Sequence, residues 1–402
     1  MRLDELQTIL TDATSALLRP AADARGIVSI KTPSLVRYNN PIHHESVEQN
    51  FTGKLTKECG RRSRLIRALC RAATLLILNA WCMTCATFAA TIPSPYELAT
   101  WRGFRASAVS YTFDDNSPKQ FSVAQPMFDA KGLHATFFCI VGNLSAAQWA
   151  TIESASAKGH EIASHTLTHP DLTKLSDDQV AAELSGSKNL IESHTGKKCV
   201  SHAYPYCSVP KKTITSQYYP FARSCNESLV PSTPEDFLSI GALGSHSTQM
   251  NTASDNAARS GSWLVWLIHG IDNDPACCPI ASSVLQSNLN YVTANTNKWW
   301  IETFGNVCRY IQERNASVLT VVSNGAASIT LQLTNSLDHA IFNYPLTLRR
   351  PMPNGWQAAA ITQNGAAVTS QIVNGNLMMF DVVPNGGDIV LSKLEKPAVD
   401  SK

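Results

Sequence analysis

The sequence predicts an α/β protein: a distorted (β/α)7-type barrel followed by a small C-terminal all-β sandwich. Three observations carry that expectation. From about residue 104 to 315, short β-branched and aromatic runs alternate with capped, helix-like segments, the pattern of parallel strands joined by helical crossovers. From 317 to 392 apolar and polar residues alternate instead, punctuated by Asn-Gly at 324–325, 354–355, 364–365, 374–375 and 385–386, a pair that supplies the positive φ needed at hairpin turns. Finally, the side chains capable of chemistry fall at the ends of the predicted strands, where barrels place it.

The elements follow in order. A strand is expected at 106–113, then a helix over 118–131 closed by Gly132, which suits a left-handed cap. A β-branched and aromatic strand covers 134–141. Ser145 with Gln148 makes a capping box that opens a helix to 158, ended by Gly159. The next strand is 160–165. Ser176 with Gln179 repeats the capping pattern and starts a helix to 194, closed by Gly196. A strand at 199–204, a short helix near 210–218 and a strand at 221–225 come next. Residues 226–260, rich in Ser, Asn and Gly, read as loops. Strands at 263–269 and 299–304, with helices at 280–295 and 306–314, complete the barrel. The division this implies is an extension over 1–60, an export segment over 61–90, a catalytic region over 91–315 and a β-sandwich over 316–397. The sandwich is read as a cap that stabilises the barrel, in preference to a sugar-binding module.

With 402 residues, 44% of them hydrophobic, the chain has material for a substantial core, and its formal net charge of +2 points to neither an acidic nor a basic partner. No block of like charge after residue 90 suggests nucleic-acid binding. Near the N-terminus, Arg61-Arg62-Ser63-Arg64-Leu65-Ile66-Arg67 precedes an apolar run from Ala72 to Ala90. A basic segment, an apolar segment and a small-residue end make a secretory signal peptide, cleaved near Ala89 or Ala90. A membrane anchor is the competing reading, but Asn79, Thr84 and Thr87 interrupt the run, so stable insertion after cleavage is not expected. Its late position suggests that the true start lies downstream of Met1. The expected location is therefore secreted or periplasmic. Of 11 cysteines, Cys139, Cys199, Cys207, Cys225, Cys277, Cys278 and Cys308 lie beyond this segment. An odd number leaves at least one free or paired between chains. Cys199, Cys207 and Cys225 form the favoured bridged set in an oxidising compartment, whereas adjacent Cys277 and Cys278 would need strained geometry to bond to each other.

Two groups of residues carry the chemistry. Thr112-Phe113-Asp114-Asp115 ends the first strand, and Ser164-His165-Thr166-Leu167-Thr168-His169-Pro170 leaves the third. A zinc-type hydrolytic site needs three ligands of His/Asp type, an open position and a separate base. One Asp with two His meets the first need, and the other Asp is free to act as base. Tyr204-Pro205-Tyr206 ends the fourth strand and His269 the sixth. Taken singly, an Asp-Asp pair is usually a solvated turn, and His269, after Trp266-Leu267-Ile268, suits a core histidine as well. Their convergence at strand ends is what singles them out. His134 and His160 sit at strand starts and read as structural.

These residues resemble the polysaccharide deacetylases, the NodB-homology group of carbohydrate esterase family four. The resemblance covers about residues 104–315 and rests on Ser110-Tyr111-Thr112-Phe113-Asp114-Asp115, Ala135-Thr136-Phe137-Phe138, the run from Gly159 to His169, and Leu267-Ile268-His269. It implies that Asp115, His165 and His169 hold a divalent metal, zinc foremost, with cobalt or manganese as alternatives. It implies that Asp114 takes the proton of the attacking water and that the Tyr206 backbone N–H stabilises the oxyanion. His269 would protonate the leaving group, and Leu267 would line the pocket for the acetyl methyl. The implied partner is an acetylated carbohydrate, either an N-acetylglucosamine-containing glycan of chitin or peptidoglycan type or an O-acetylated polymer such as acetylxylan. A non-catalytic sugar-binding protein is the reading from another class, and intact Asp114 and His269 speak against it. Intact Asp114 also disfavours hydrolysis of small cyclic amides. Where the family has Arg-x-Pro-Tyr-Gly this chain has Ala203-Tyr204-Pro205-Tyr206-Cys207, so the resemblance implies that Asp114 has lost the arginine that pairs with it. The family's acid-tuning aspartate has three readings here: Asp272, Asp274 and Asp236.

Overall fold

The computed structural model describes residues 90–245 and 249–394; the expectations for the extension and the export segment lie outside them. The barrel is an eight-stranded parallel sheet. Its strands are β2 (Ser107–Asp114), β3 (Thr136–Cys139), β4 (Glu161–Ser164), β5 (Ser201–Ala203), β6 (Phe221–Arg223), β7 (Leu243–Gly244), β8 (Trp263–Ile268) and β9 (Trp299–Ile301), while β1 (Glu97–Leu98) belongs elsewhere. The order is β6-β5-β4-β3-β2-β8-β7, and β9 pairs with the N-terminal half of β2. One short segment closes the ring: Ile240 bridges to Arg223 at the end of β6, and Leu243–Gly244 then pairs with β8.

Alternation along β2 sets two layers. Val109, Tyr111 and Phe113 face outward and pack with Phe128, Phe137, Leu264 and Trp266. Ala108, with Phe138, Ala163, Ala203, Phe221 and Val265, belongs to the interior. The same alternation turns the far end of β2 inward at Asp114, so a strand buried along its whole length delivers a carboxylate to the mouth.

Helices α1 (Gln125–Asp129), α2 (Ala146–Ala157), α3 (Asp177–Thr195), α4 (Lys212–Thr215), α5 (Met250–Ser260), α6 (Ser282–Thr293) and α7 (Phe304–Ala316) provide the crossovers and the final element. Both expected capping boxes form, Ser145 with Gln148 and Ser176 with Gln179, and Gly196 closes α3 at φ 67. The segment before α1 is instead a wide turn of π-helix over Gln120–Ala124. Residues 226–260, expected as loops, contain β7 and α5. Helix α5 has no side-chain cap at Gln249 and buries Met250, Ser254 and Ala257; without an N-cap, and with one large apolar residue on its inner face, its start carried no signal.

The C-terminal region is the expected sandwich of antiparallel sheets. One contains β10 (Val318–Asn324), β11 (Ser328–Thr334), β17 (Ile389–Lys393), β13 (Ala359–Gln363) and β14 (Ala366–Ala367). The other contains β1, β12 (Leu346–Pro351), β16 (Leu377–Val382) and β15 (Ser370–Val373). Thus Glu97–Leu98, ahead of the barrel in sequence, adds an edge strand to the sandwich through Leu98 and Leu348. Two of the Asn-Gly pairs have both residues at positive φ, Asn364-Gly365 and Asn374-Gly375, as a tight hairpin requires.

The sandwich meets the barrel at the N-terminal ends of the barrel strands. There α7 begins: the Phe304 N–H donates to Thr136 Oγ1 and the Gly305 N–H to Glu161 Oε2, at the starts of β3 and β4. Leu319, Leu331, Leu346 and Phe380 of the sandwich share one apolar cluster with Phe304, Val307 and Tyr310 of α7. Phe342 packs edge-on against Phe221 at the start of β6. The opposite pole, where the strands end, is left to the site.

Candidate metal centre and active site

Asp115 leaves β2 in the left-handed region at φ 75, followed by Asn116 at φ 56. Non-glycine residues there are strained, and their surroundings must hold them. Asn116 does so locally: its Nδ2 donates to the Ile140 carbonyl, and its Oδ1 accepts the Ile140 N–H. The histidine loop is braced in the same way. Glu183 of α3 accepts the Leu167 and Thr168 N–H groups at 2.9 and 2.8 Å and the Thr168 hydroxyl at 2.6 Å. The His169 N–H donates to Thr166 Oγ1.

These turns bring Asp115, His165 and His169 together, with one potential ligand atom from each lying within 4.8 Å of the others. Asp115 Oδ1 is 3.4 Å from His165 Nε2 and 3.5 Å from His169 Nε2. The fit to a metal rests on what those atoms do otherwise. Asp115 Oδ1 is buried and accepts no hydrogen bond, a costly state for a carboxylate oxygen unless a cation meets it. The His165 Nδ1–H donates to the Ala203 carbonyl at 2.9 Å, which leaves the Nε2 lone pair aimed at Asp115. Outer partners of this kind orient metal-binding imidazoles. Burial pushes the His169 imidazole below its usual range and the His165 charge adds to that, outweighing Asp115 and Asp114. Burial would raise the Asp115 carboxyl, but the close approach of His165, with His269 and His169 near it, holds it below its ordinary value. A neutral imidazole and an ionised carboxylate are the forms that ligate.

Asp114, expected as the base, stays outside this set. It is 2% exposed, its Oδ2 lies 3.9 Å from His165 Nε2, and it forms a salt bridge with Arg223, itself 0% exposed. Arg223 corrects the expectation drawn from Ala203. The arginine missing from β5 is supplied by β6, at the position in direct register with Ala203. Both face the barrel interior, so the cation reaches the same carboxylate from the neighbouring strand. Phe138 underlies the guanidinium with its ring centroid at 5.2 Å.

His269 follows β8 and is half-buried, with its charge acting on both Asp115 and His169. Gln120 ties its strand end to that of Asp114, because its Nε2 donates to the carbonyls of Asp114 and His269. Leu267 is half-buried and packs with the interior cluster two residues before His269. None of the three aspartates considered as acid-tuning partners hydrogen-bonds the His269 ring. Asp236 pairs with Lys212, Asp272 accepts the Ser282 N–H, and Asp274 accepts the Lys119 and Ile271 N–H groups.

Tyr206 lies in a short turn at φ 55, with its side chain 65% exposed and its ring 4.7 Å from that of His169. The neighbouring N–H groups are used, Cys207 to Tyr204 O and Ser208 to Pro205 O. The Tyr206 N–H finds no acceptor among the described residues. Cys207 is bonded to Cys225, while Cys199, the third member of the expected set, is buried and free. Cys277 and Cys278 have no separate partners among the described residues; their sulfurs lie 2.9 Å apart. Asn116, Gln120, Glu183 and Arg223 were not identified from the sequence, because each acts across an element boundary that no local spacing marks.

An α/β barrel mouth carrying an Asp-His-His cluster beside a buried, arginine-held carboxylate defines the class. Residues 102–218 match the family model for polysaccharide deacetylase. Among curated proteins, a gellan lyase from Bacillus sp is 24% identical over 326 residues, covering 73% of this chain and 13% of the relative. A chitooligosaccharide deacetylase from Bradyrhizobium sp. is 37% identical over 89 residues, covering 21% of this chain and 39% of the relative. The chain therefore spans well under half the length of these relatives. Among solved structures, the Xyl-CE4 domain of a multidomain xylanase from the hindgut metagenome of Trinervitermes trinervoides is 22% identical with a TM-score of 0.36, over 50% of this chain and 88% of that one.

Proposed function

We propose that the chain is a secreted, metal-dependent hydrolase that removes acetyl groups from a carbohydrate, an N-acetylglucosamine-containing glycan first among the substrates. The observation that carries this reading is the division of labour at the mouth: an unpartnered Asp115 oxygen facing two imidazoles, and a separate carboxylate, Asp114, held by Arg223. The match of residues 102–218 to the polysaccharide deacetylase family model supports it. For the N-acetyl substrate, support comes from the relative named a chitooligosaccharide deacetylase. The Cys207–Cys225 disulfide supports an oxidising compartment.

Asp115, His165 and His169 would hold the metal, zinc foremost. When bound, it supplies a Lewis acid for the acetyl carbonyl and makes water easier to deprotonate. The rest falls to side chains and backbone of this chain. Asp114, ionised beside Arg223, accepts the proton of the attacking water. The Tyr206 N–H donates to the oxyanion that forms as water adds to the carbonyl. His269 gives a proton to the departing amine, or to the alcohol of an ester. Leu267 presents an apolar surface to the acetyl methyl.

The test is acetate release by the full chain with added zinc, cobalt or manganese, on chitooligosaccharides, peptidoglycan fragments and acetylxylan. Release from at least one glycan is expected, and Asp114→Asn should abolish it while the zinc-induced rise in melting temperature persists. No release from any substrate, or release untouched by Asp114→Asn, defeats the reading.

A further inference from the structure

The departures from the family pattern at this mouth are linked in space. The chain has alanine at 203 in place of the arginine and cysteine at 207 in place of the glycine. Arg223 replaces the first from the next strand, and Cys225, two residues further on, is bonded to the second with a Cα–Cα distance of 5.4 Å. Cys207 occupies φ 58, immediately after Tyr206 at φ 55. Glycine adopts that region freely, whereas any side chain resists it. A covalent tie therefore stands where a glycine would have made the turn easy.

The same bond touches the base. Arg223 Nη1 lies 4.0 Å from Cys225 Sγ, while Nη2 of the same guanidinium binds Asp114 Oδ2. One arm of the guanidinium rests on the disulfide and the other holds the carboxylate. At the other end of the bond, Cys207 fixes the turn that leaves the Tyr206 N–H without an acceptor. The Tyr204 N–H donates to the Arg223 carbonyl, so the β5–β6 pairing runs on past the strands and the disulfide extends it to the rim. Cys207 is exposed and Cys225 half-buried, which leaves the bond within reach of a reductant.

We propose that the Cys207–Cys225 disulfide is a positioning element of the active site, fixing the Tyr206 N–H and the Arg223–Asp114 pair in one geometry. Neither cysteine touches substrate; both act through their neighbours. The proposal rests on the deacetylase reading for its kinetic consequence, but its structural content stands apart from any substrate.

The experiment compares the wild-type full chain with Cys207→Ser/Cys225→Ser and with Cys207→Gly/Cys225→Ala. Zinc affinity by calorimetry should be the same in all three, because Asp115, His165 and His169 stand on other strands. In the serine variant kcat should fall about tenfold to a hundredfold, with KM nearly unchanged, as expected when an oxyanion donor is misplaced. The glycine variant should recover part of that loss by restoring the freedom of the turn. Hydrogen exchange, which needs no substrate, should quicken over 204–208 and 221–226 in the serine variant while 161–170 is unaltered. A staple that only stabilises the fold would lower the melting temperature and leave kcat and local exchange alone, and that result overturns the proposal. Loss of zinc affinity in step with kcat overturns it as well. If wild-type protein binds zinc but releases no acetate, the deacetylase reading fails, and exchange alone decides the positioning claim.

Discussion

Moving the arginine back to β5 is the sharpest test of the site. Arg223 and Asp114 are 0% and 2% exposed, so Arg223→Ala strands a carboxylate in the barrel mouth. Removing one partner of a buried ion pair costs about 3–5 kcal/mol. For a compact unit of this size that is a fall in melting temperature of roughly 6–10 °C, at about 2 °C per kcal/mol. Acetate release should fall further than stability, because the base loses its orientation. Ala203 is in register with Arg223 on the adjacent parallel strand, about 5 Å away, and faces the same interior. Arginine at 203 can therefore reach Asp114 once residue 223 is small. Ala203→Arg alone should destabilise, since it crowds Phe138 and Ala163 and places two guanidinium groups together. The double variant Ala203→Arg/Arg223→Ala should regain at least about tenfold in kcat/KM over Arg223→Ala, a compensation that separate defects would not give. Thermal melting and acetate release on the four proteins measure both effects. If Arg223→Ala melts and turns over like wild type, or the double variant is no better than Arg223→Ala, the pairing argument is wrong.

Two further outcomes follow from single side chains. Glu183→Ala removes the brace on residues 167–168 and should weaken zinc binding by about 10–100-fold, as outer-partner changes do; unchanged affinity by calorimetry would remove Glu183 from the site. Glu313 of α7 is buried, with one oxygen unpartnered and the other accepting the Tyr344 N–H. Burial lifts its carboxyl from 4.5 to about 8, against the lowering effects of that N–H and of Arg309. The folded chain then keeps a proton that the unfolded chain releases. Stability present below pH 4.5 is lost as pH rises towards 8, at no more than about 1.4 kcal/mol per pH unit. Urea denaturation from pH 5 to 8 should show that slope flattened in Glu313→Gln, and parallel curves for the two proteins would contradict it.

What the sequence disclosed about the site was its local part. Asp115, His165 and His169 lie within two short runs, and a strand end fixes where such runs point. Both capping boxes formed for the same reason, since their partners are three residues apart. The parts that escaped are joined through space. Arg223 stands 109 residues from Asp114, and only the register of β5 with β6 shows that a cation there replaces one at 203. Helix α5 escaped because its N-terminus is uncapped and its buried residues are Met250, Ser254 and Ala257, of which only the first is large and apolar. Strand β1 escaped because two residues carry no period; it exists only because β12 offers an edge.

The sandwich bears on function through where it packs. Its apolar surface is shared with α7, and polar ties reinforce the junction: Arg102 with Asp381, and the Tyr344 hydroxyl with Glu302. All of these lie at the N-terminal ends of the barrel strands, the pole that serves stability in barrel enzymes. A sugar held on this face would sit across the barrel from Asp115. On the proposed reading, the sandwich would serve catalysis by securing the lower ends of β2 to β6, whose upper ends carry Asp114, the histidine loop, the Tyr206 turn and Arg223. That argument makes a variant at the junction a stability variant first. Arg102→Ala should lower the melting temperature while leaving KM for a glycan unchanged, and a raised KM with unaltered melting would instead place substrate on the sandwich.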